Sequence, residues 1–127
     1  MGSFRDLIVY KKAFALAMSV FRMAKGFPDD EKFSLTSQIR RSSRSVCSNL
    51  AEGYRKRLYS AHFLSKMTDA DMENTETLVW LDFAVECGYI DEDAYQKLVT
   101  ANDEIGKLIG HMIRNPDKYV HSGIPKE

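Results

Sequence analysis

Cysteine is scarce in this sequence: Cys47 and Cys87 are the only two among 127 residues. They form no paired-cysteine zinc spacing. Both lie in stretches that read as helical and no secretory leader precedes them, so free thiols in a cytoplasmic protein are expected. Long apolar runs are missing as well, and none approaches the roughly 20 residues that a membrane span needs. Asp6 occupies the position where a myristoylation signal needs Ser or Thr. No membrane partner is therefore expected. No segment alternates with the period of two that a strand requires, no repeat stands out and no stretch is low in complexity.

The motifs that carry chemistry are absent too. There is no Gly-rich phosphate loop and no nucleophile elbow. A helical chain of this size invites a search for a di-iron site, which needs Glu-x-x-His pairs on facing helices. Tyr59, Leu108 and Lys118 stand three residues before His62, His111 and His121, so no carboxylate is spaced to share a metal with any of them. No enzymatic activity, metal or cofactor is expected.

What is present begins with a globular composition, 44% hydrophobic and 28% charged, in a chain long enough for one core and too short for two ordinary domains. A single domain over residues 1–119 and a flexible tail over 120–127 are expected. The first helix shows apolar residues at Leu7, Tyr10, Phe14, Ala17, Phe21 and Ala24, and Gly26-Phe27-Pro28 stops it. Ser34 reads as the cap of a second helix carrying Leu35, Ile39, Val46 and Leu50, with the small residues Ser42 and Gly53 on the same face, where a neighbouring helix can come close. The third begins near Ser60, carries Phe63, Met67, Ala70, Leu78, Leu81 and Val85, and ends at Gly88. Asp91 caps the fourth, which carries Tyr95, Leu98, Val99, Ile105, Ile109 and Met112 and ends at Asn115-Pro116. Four helices on short loops predict an all-α, antiparallel up-and-down four-helix bundle. Folding the last two helices about Gly88 brings Asn74 and Asn102 to one level, where two buried amides must find partners.

The formal net charge is zero, 18 basic against 18 acidic residues, but the two signs are segregated. Arg40, Arg41, Arg44, Arg55, Lys56, Arg57 and Lys66 face the single acid Glu52 in their stretch. From Met67 to Gln96 there is no Lys or Arg, while Asp69, Asp71, Glu73, Glu76, Asp82, Glu86, Asp91, Glu92 and Asp93 accumulate. On the second helix Arg40, Arg41, Arg44 and Arg55 project within about 100° of one another, opposite the apolar stripe. Two readings fit that face: a solvated or intersubunit salt-bridge patch, and guanidinium groups that bind phosphate. On the third helix Met72, Val79 and Phe83 make a second apolar stripe away from the first. Such a helix needs cover on more than one side, from self-association or from a tail carrying Tyr119, Val120 and Ile124.

Asp6-Leu7-Ile8-Val9-Tyr10-Lys11-Lys12-Ala13, Phe27-Pro28, Leu35-Thr36-Ser37-Gln38-Ile39-Arg40-Arg41, Ser48-Asn49-Leu50-Ala51-Glu52-Gly53 and Gly88-Tyr89-Ile90 together resemble the four-helix-bundle proteins encoded in intervening sequences of bacterial 23S ribosomal RNA genes. The resemblance covers about residues 4 to 115. It implies an up-and-down bundle assembled as a ring-like homopentamer, with distant relatives acting as nucleic-acid-binding partners of a retroelement reverse transcriptase. Cys47 replaces the family's usual proline, and Met72-Glu73 replaces a Gly-Ser pair. The expected function is a non-enzymatic, oligomeric RNA-binding accessory protein using Arg40, Arg41, Arg44, Arg55, Lys56 and Arg57, with Met72, Val79 and Phe83 between subunits. The alternative is a scaffold whose basic and acidic faces pair across subunits.

Overall fold

The computed structural model describes residues 2–120. Four α-helices carry the structure: α1, Ile8–Ala24; α2, Leu35–Arg55; α3, Ser60–Glu86; and α4, Glu92–Arg114. Single turns of 3-10 helix at Phe4–Asp6, Asp29–Glu31 and Pro116–Lys118 punctuate them, and no strand occurs among the described residues. Among the described residues no helix is long and apolar enough to cross a membrane. The expected tail, from residue 121 onward, lies outside the described residues.

The helix ends follow local chemistry. Gly88 adopts φ 79°, a left-handed conformation that glycine enters without a Cβ penalty. The Tyr89 amide then reaches the Ala84 carbonyl at 2.9 Å and the Gly88 amide that of Val85 at 3.0 Å, the paired bonds of a Schellman stop. The Asp91 side chain accepts from the Ala94 amide at 2.8 Å and caps α4 as expected. Ser34 does not cap α2. Its hydroxyl donates to Glu31 Oε1 at 2.6 Å, and the same carboxylate oxygen accepts from the Leu35 amide at 3.2 Å. A carboxylate one turn upstream, on a longer arm and favoured by the helix dipole, takes one orphan donor of the first turn, the amide of Leu35.

One core joins the four helices. Ile39, Val46 and Leu50 of α2, Phe63, Met67, Ala70 and Leu81 of α3, and Ile105, Ile109 and Met112 of α4 are buried in it. The contribution of α1 is rotated from the expected stripe: Val9, Ala13, Leu16, Ala17, Val20 and Ala24 face inward, while Phe14 is exposed and Tyr10 and Phe21 are half-buried. Small and branched side chains let α1 approach closely, and the bulkier rings sit on its flanks. Similarly, Leu78 and Val85 of α3 give way inside to Asn74, Thr77 and Ala84.

The small residues of α2 bring α3 close. A Cβ on Gly53 would collide with Met67 and sit 3.0 Å from Lys66 Cβ. Further along this seam the Ser42 and Thr77 hydroxyls share a 2.8 Å hydrogen bond, fully buried. Between α3 and α4, Asn74 Nδ2 donates to the Asn102 carbonyl at 3.0 Å. Asn102 Nδ2 in turn donates to the Asn74 carbonyl at 2.9 Å and to Asn74 Oδ1 at 3.0 Å. The two amides do lie at one level and satisfy each other, so this polar pair carries no desolvation penalty of an orphaned group and fixes the register of α3 on α4.

Candidate nucleic-acid interface

Helix α2 turns Ile39, Ser42, Val46, Leu50 and Gly53 inward, so the 100° step per residue places Ser37, Arg40, Arg41, Arg44 and Ser48 outward. Together with Lys32 and Phe33 from the preceding turn they line an open groove of about 710 Å³. Hydroxyls of Thr36, Ser37, Ser45 and Ser48 share its wall with the guanidinium groups, and among the described residues no acidic side chain lines it. Lys32 and Phe33 were not singled out in the sequence. The signal for them is the four-residue step from Arg41 back through Ser37 to Phe33, which extends the arginine stripe past the start of the helix.

The six basic residues expected to act together are held differently. Arg40 is half-buried: its Nη2 donates to the Phe21 carbonyl at 3.3 Å, and its guanidinium lies 4.8 Å from the Phe21 ring centroid. Its Nε is buried without a hydrogen-bond partner. Arg44 is exposed, with its guanidinium 5.6 Å from the same ring. Phe21 thus serves as a platform under two arginines, held by cation–π attraction rather than by carboxylates. Arg41 is held by acids. It reaches Glu73 at 3.1 Å and Glu76 at 2.5 Å, and Glu76 also accepts from Trp80 Nε1 at 3.2 Å. Hydrogen bonds to Glu73 and then Glu76 raise the Arg41 pKa above its usual value. The basic helix therefore meets the acidic helix within one chain at this point.

Arg55 and Lys56 end α2 exposed, and neither makes an ion pair among the described residues. Arg57 lies over the Tyr54 ring at 4.0 Å and donates to the Tyr54 carbonyl at 2.9 Å. The structure thus brings Arg40, Arg41 and Arg44 to one groove and leaves Arg55, Lys56 and Arg57 outside its lining, where α2 turns into α3. Cys47, in the neighbouring α2 turn, is buried, and burial pushes its thiol up to about 11; it is a packing residue, not a thiolate.

The other expected surface is exposed among the described residues. Met72 is 60% exposed, Val79 42% and Phe83 53%. Phe83 also contributes, with Phe33 and Trp80, to a groove of about 410 Å³ between the start of α2 and the end of α3. Tyr119 does not reach this stripe. It stacks on Phe63 and hydrogen-bonds His111 at 2.8 Å. Ile124 lies outside the described residues.

Comparison with known proteins places this geometry. A crystal structure of a protein of unknown function from the S23 ribosomal protein family of Bacteroides thetaiotaomicron superposes with a TM-score of 0.77 at 28% identity, covering 84% of this chain and 96% of that one. No curated protein matches. The sequence matches the 23S rRNA-intervening sequence proteins over residues 5–111, which takes in all of α1, α2 and α3 and most of α4. This chain is a member of the 23S rRNA-intervening sequence protein family.

Proposed function

We propose that this protein is a non-enzymatic nucleic-acid-binding module whose ligand is structured RNA, contacted through phosphates along the outer face of α2. The observation that carries this reading is the groove in which Arg40 and Arg44 stand beside four hydroxyl-bearing side chains with no acid in the lining. Guanidinium groups in such a setting have an uncompensated field and spare donors, the requirements for a phosphate backbone. Contacts of this kind position RNA without reading its bases, so binding is tolerant of sequence and weakens steeply with salt.

The helices are proposed to run up and down, which the Asn74–Asn102 pair and the 2.5 Å hydrogen bond from Tyr95 to Asp82 support for α3 and α4. The proposed assembly is a ring-like homopentamer with Met72, Val79 and Phe83 between subunits; the exposure of that stripe supports self-association, and the number five follows the resemblance. A ring repeats a weak basic groove and multiplies its avidity.

The scaffold reading needs the basic and acidic faces to pair across subunits, and Arg41 is already paired with Glu73 and Glu76 within one chain. The test therefore spares Arg41. Arg44, Arg55 and Lys56 are replaced together by alanine, and RNA retention at low and moderate salt is measured beside a sizing column. Salt-sensitive binding by the wild type, lost in an intact variant oligomer, is the expected result. An oligomer that dissociates in the variant, or a wild type that retains no RNA, refutes the proposal.

A further inference from the structure

The basic groove does not end at the edge of α2. Beside it lies a second concavity of about 370 Å³, with Phe4, Tyr10, Phe14 and Met18 on one side and Arg44 and Ser48 on the other. Arg44 and Ser48 line both hollows, which makes the cationic wall and the aromatic shelf one continuous surface. The shelf is ordered by its own rings: Phe4 meets Tyr10 edge-on at 5.0 Å, and Tyr10 lies 6.1 Å from Phe14 at an interplanar angle of 31°. Phe14 is 51% exposed although α1 turns a full apolar face inward, so the ring is not needed to close the core.

Two apolar surfaces of this molecule therefore lie in opposite electrostatic settings. The α3 stripe of Met72, Val79 and Phe83 shares its helix with Glu76, Asp82 and Glu86 and repels phosphate. The α1 shelf has no acidic side chain in its lining among the described residues and opens onto Arg44. An aromatic face beside unpaired guanidinium groups matches the two parts of a nucleotide, a base with a π face and an anionic phosphate. A duplex offers only the phosphates, because its base faces are stacked on each other; an unpaired segment offers both.

We propose that the ligand of this surface is single-stranded nucleic acid, the loops and bulges of a structured RNA, with an unpaired base stacked on Phe14 while its phosphate meets Arg44. This rests on the phosphate-binding reading of the α2 groove and adds the class of substrate. Tyr10 and Phe4 back the Phe14 ring, and Arg40 continues the phosphate track along α2.

The test compares two probes on the full chain: a fluorescein-labelled single-stranded RNA of about 12 nucleotides, within the usual site size for such grooves, and the same strand annealed to its complement. Wild type, Phe14→Ala and Phe14→Trp are titrated with each, alongside circular dichroism and a sizing column. Alanine is the strongest helix former and position 14 is half-exposed, so the helix survives the change. The wild type is expected to prefer the single strand. Phe14→Ala is expected to lose about tenfold of single-strand affinity, the effect of removing one stacked ring, with duplex affinity unchanged, and Phe14→Trp is expected to restore it. Equal affinity for both probes, or single-strand binding untouched by Phe14→Ala, overturns the inference while leaving the phosphate reading intact. Binding of neither probe removes both. A smaller assembly in Phe14→Ala identifies the shelf as a subunit contact and overturns the inference by that route.

Discussion

Helices α2 and α3 meet along one seam, yet their outer faces differ. Inside, both are trimmed to the same requirement of close approach: Gly53 leaves room for Met67, and Ser42 pairs with Thr77 in a fully buried hydrogen bond. Outside, α2 presents guanidinium groups and hydroxyls, while α3 presents Met72, Val79 and Phe83 among carboxylates. An exposed charged face is stable in water as it stands. An exposed apolar stripe leaves free energy unclaimed until another surface covers it. Under the function proposed above, the contrast separates two kinds of recognition on one small molecule, an anionic ligand at α2 and a protein surface at α3. Arg41, bridged to Glu73 and Glu76, is the point where the two outer faces neutralise each other.

The largest expected effect comes from breaking the inner side of this comparison, where α3 is also pinned to α4. Asn102→Ala removes both donors to Asn74 and leaves the Asn74 Oδ1 acceptor buried without a partner. A loss of about 2–3 kcal/mol of unfolding free energy is expected from the orphaned group and the small cavity together. In a chain of this size that lowers Tm by roughly 10 °C, measured at one fixed protein concentration because assembly also adds to stability. An unchanged midpoint would show that water or local relaxation replaces the pair, and that register is set by the apolar side chains alone.

How much of this was legible in the sequence varies from helix to helix. The α4 cap at Asp91, the stop at Gly88 and the Asn74–Asn102 level depend on local chemistry and on spacing about one turn, and all three appear as expected. The α2 core face was also legible, because its apolar residues are few and the opposite face is charged. On α1 Ala17 and Ala24 face the core as expected, and the rings do not. Its sequence carries two apolar stripes, and counting hydrophobicity alone favours the aromatic one of Tyr10, Phe14 and Phe21. The core takes the Ala- and Val-rich stripe, because small side chains permit close helix packing. The candidate site was legible as a list of arginines and not as an arrangement. Arg40 lies over Phe21, 19 residues away, and Arg41 reaches Glu73, 32 residues away; only the tertiary fold decides which arginine is engaged and which is open.

The outer faces are sharpened by treating Arg41 and Arg44 separately. Arg41→Ala removes two carboxylate contacts, but the side chain is 49% exposed, so solvent screening limits the expected loss to about 0.5–1 kcal/mol. Arg44→Ala touches no carboxylate among the described residues and is expected to change stability by less than about 0.5 kcal/mol. Urea unfolding of the two variants at low salt measures the difference, and added salt is expected to narrow it. The order should invert for RNA retention, where Arg44→Ala has the greater effect. Equal stability losses would mean that Arg44 carries structural work of its own.

The smallest effect concerns the carboxylate that starts α2. Glu31 accepts from the Ser34 hydroxyl, from Tyr89 Oη at 2.7 Å and from the Leu35 amide, and these bonds, in that order, hold its pKa below the usual value of 4.5. A carboxylate lowered in the folded state binds fewer protons there than in the unfolded chain. Its stabilisation is therefore complete above the ordinary Glu range and is lost as pH falls through its own lower pKa. Glu31→Gln should weaken the fold slightly at neutral pH and abolish this part of the acid sensitivity, so unfolding midpoints of variant and wild type converge on acidification. The same hydrogen bond pushes the Tyr89 phenol up to about 12. With the folded value raised above that of the unfolded chain, this partner's stabilisation is complete below the ordinary Tyr range and is lost as pH rises through the folded value. Replacing Glu31 with Gln removes the charge that holds the phenol protonated. One tyrosine should then ionise at lower pH in an ultraviolet titration of the variant, whereas in Tyr89→Phe that transition should be missing. A titration curve unchanged by Glu31→Gln would mean that Glu31 does not hold Tyr89 in solution.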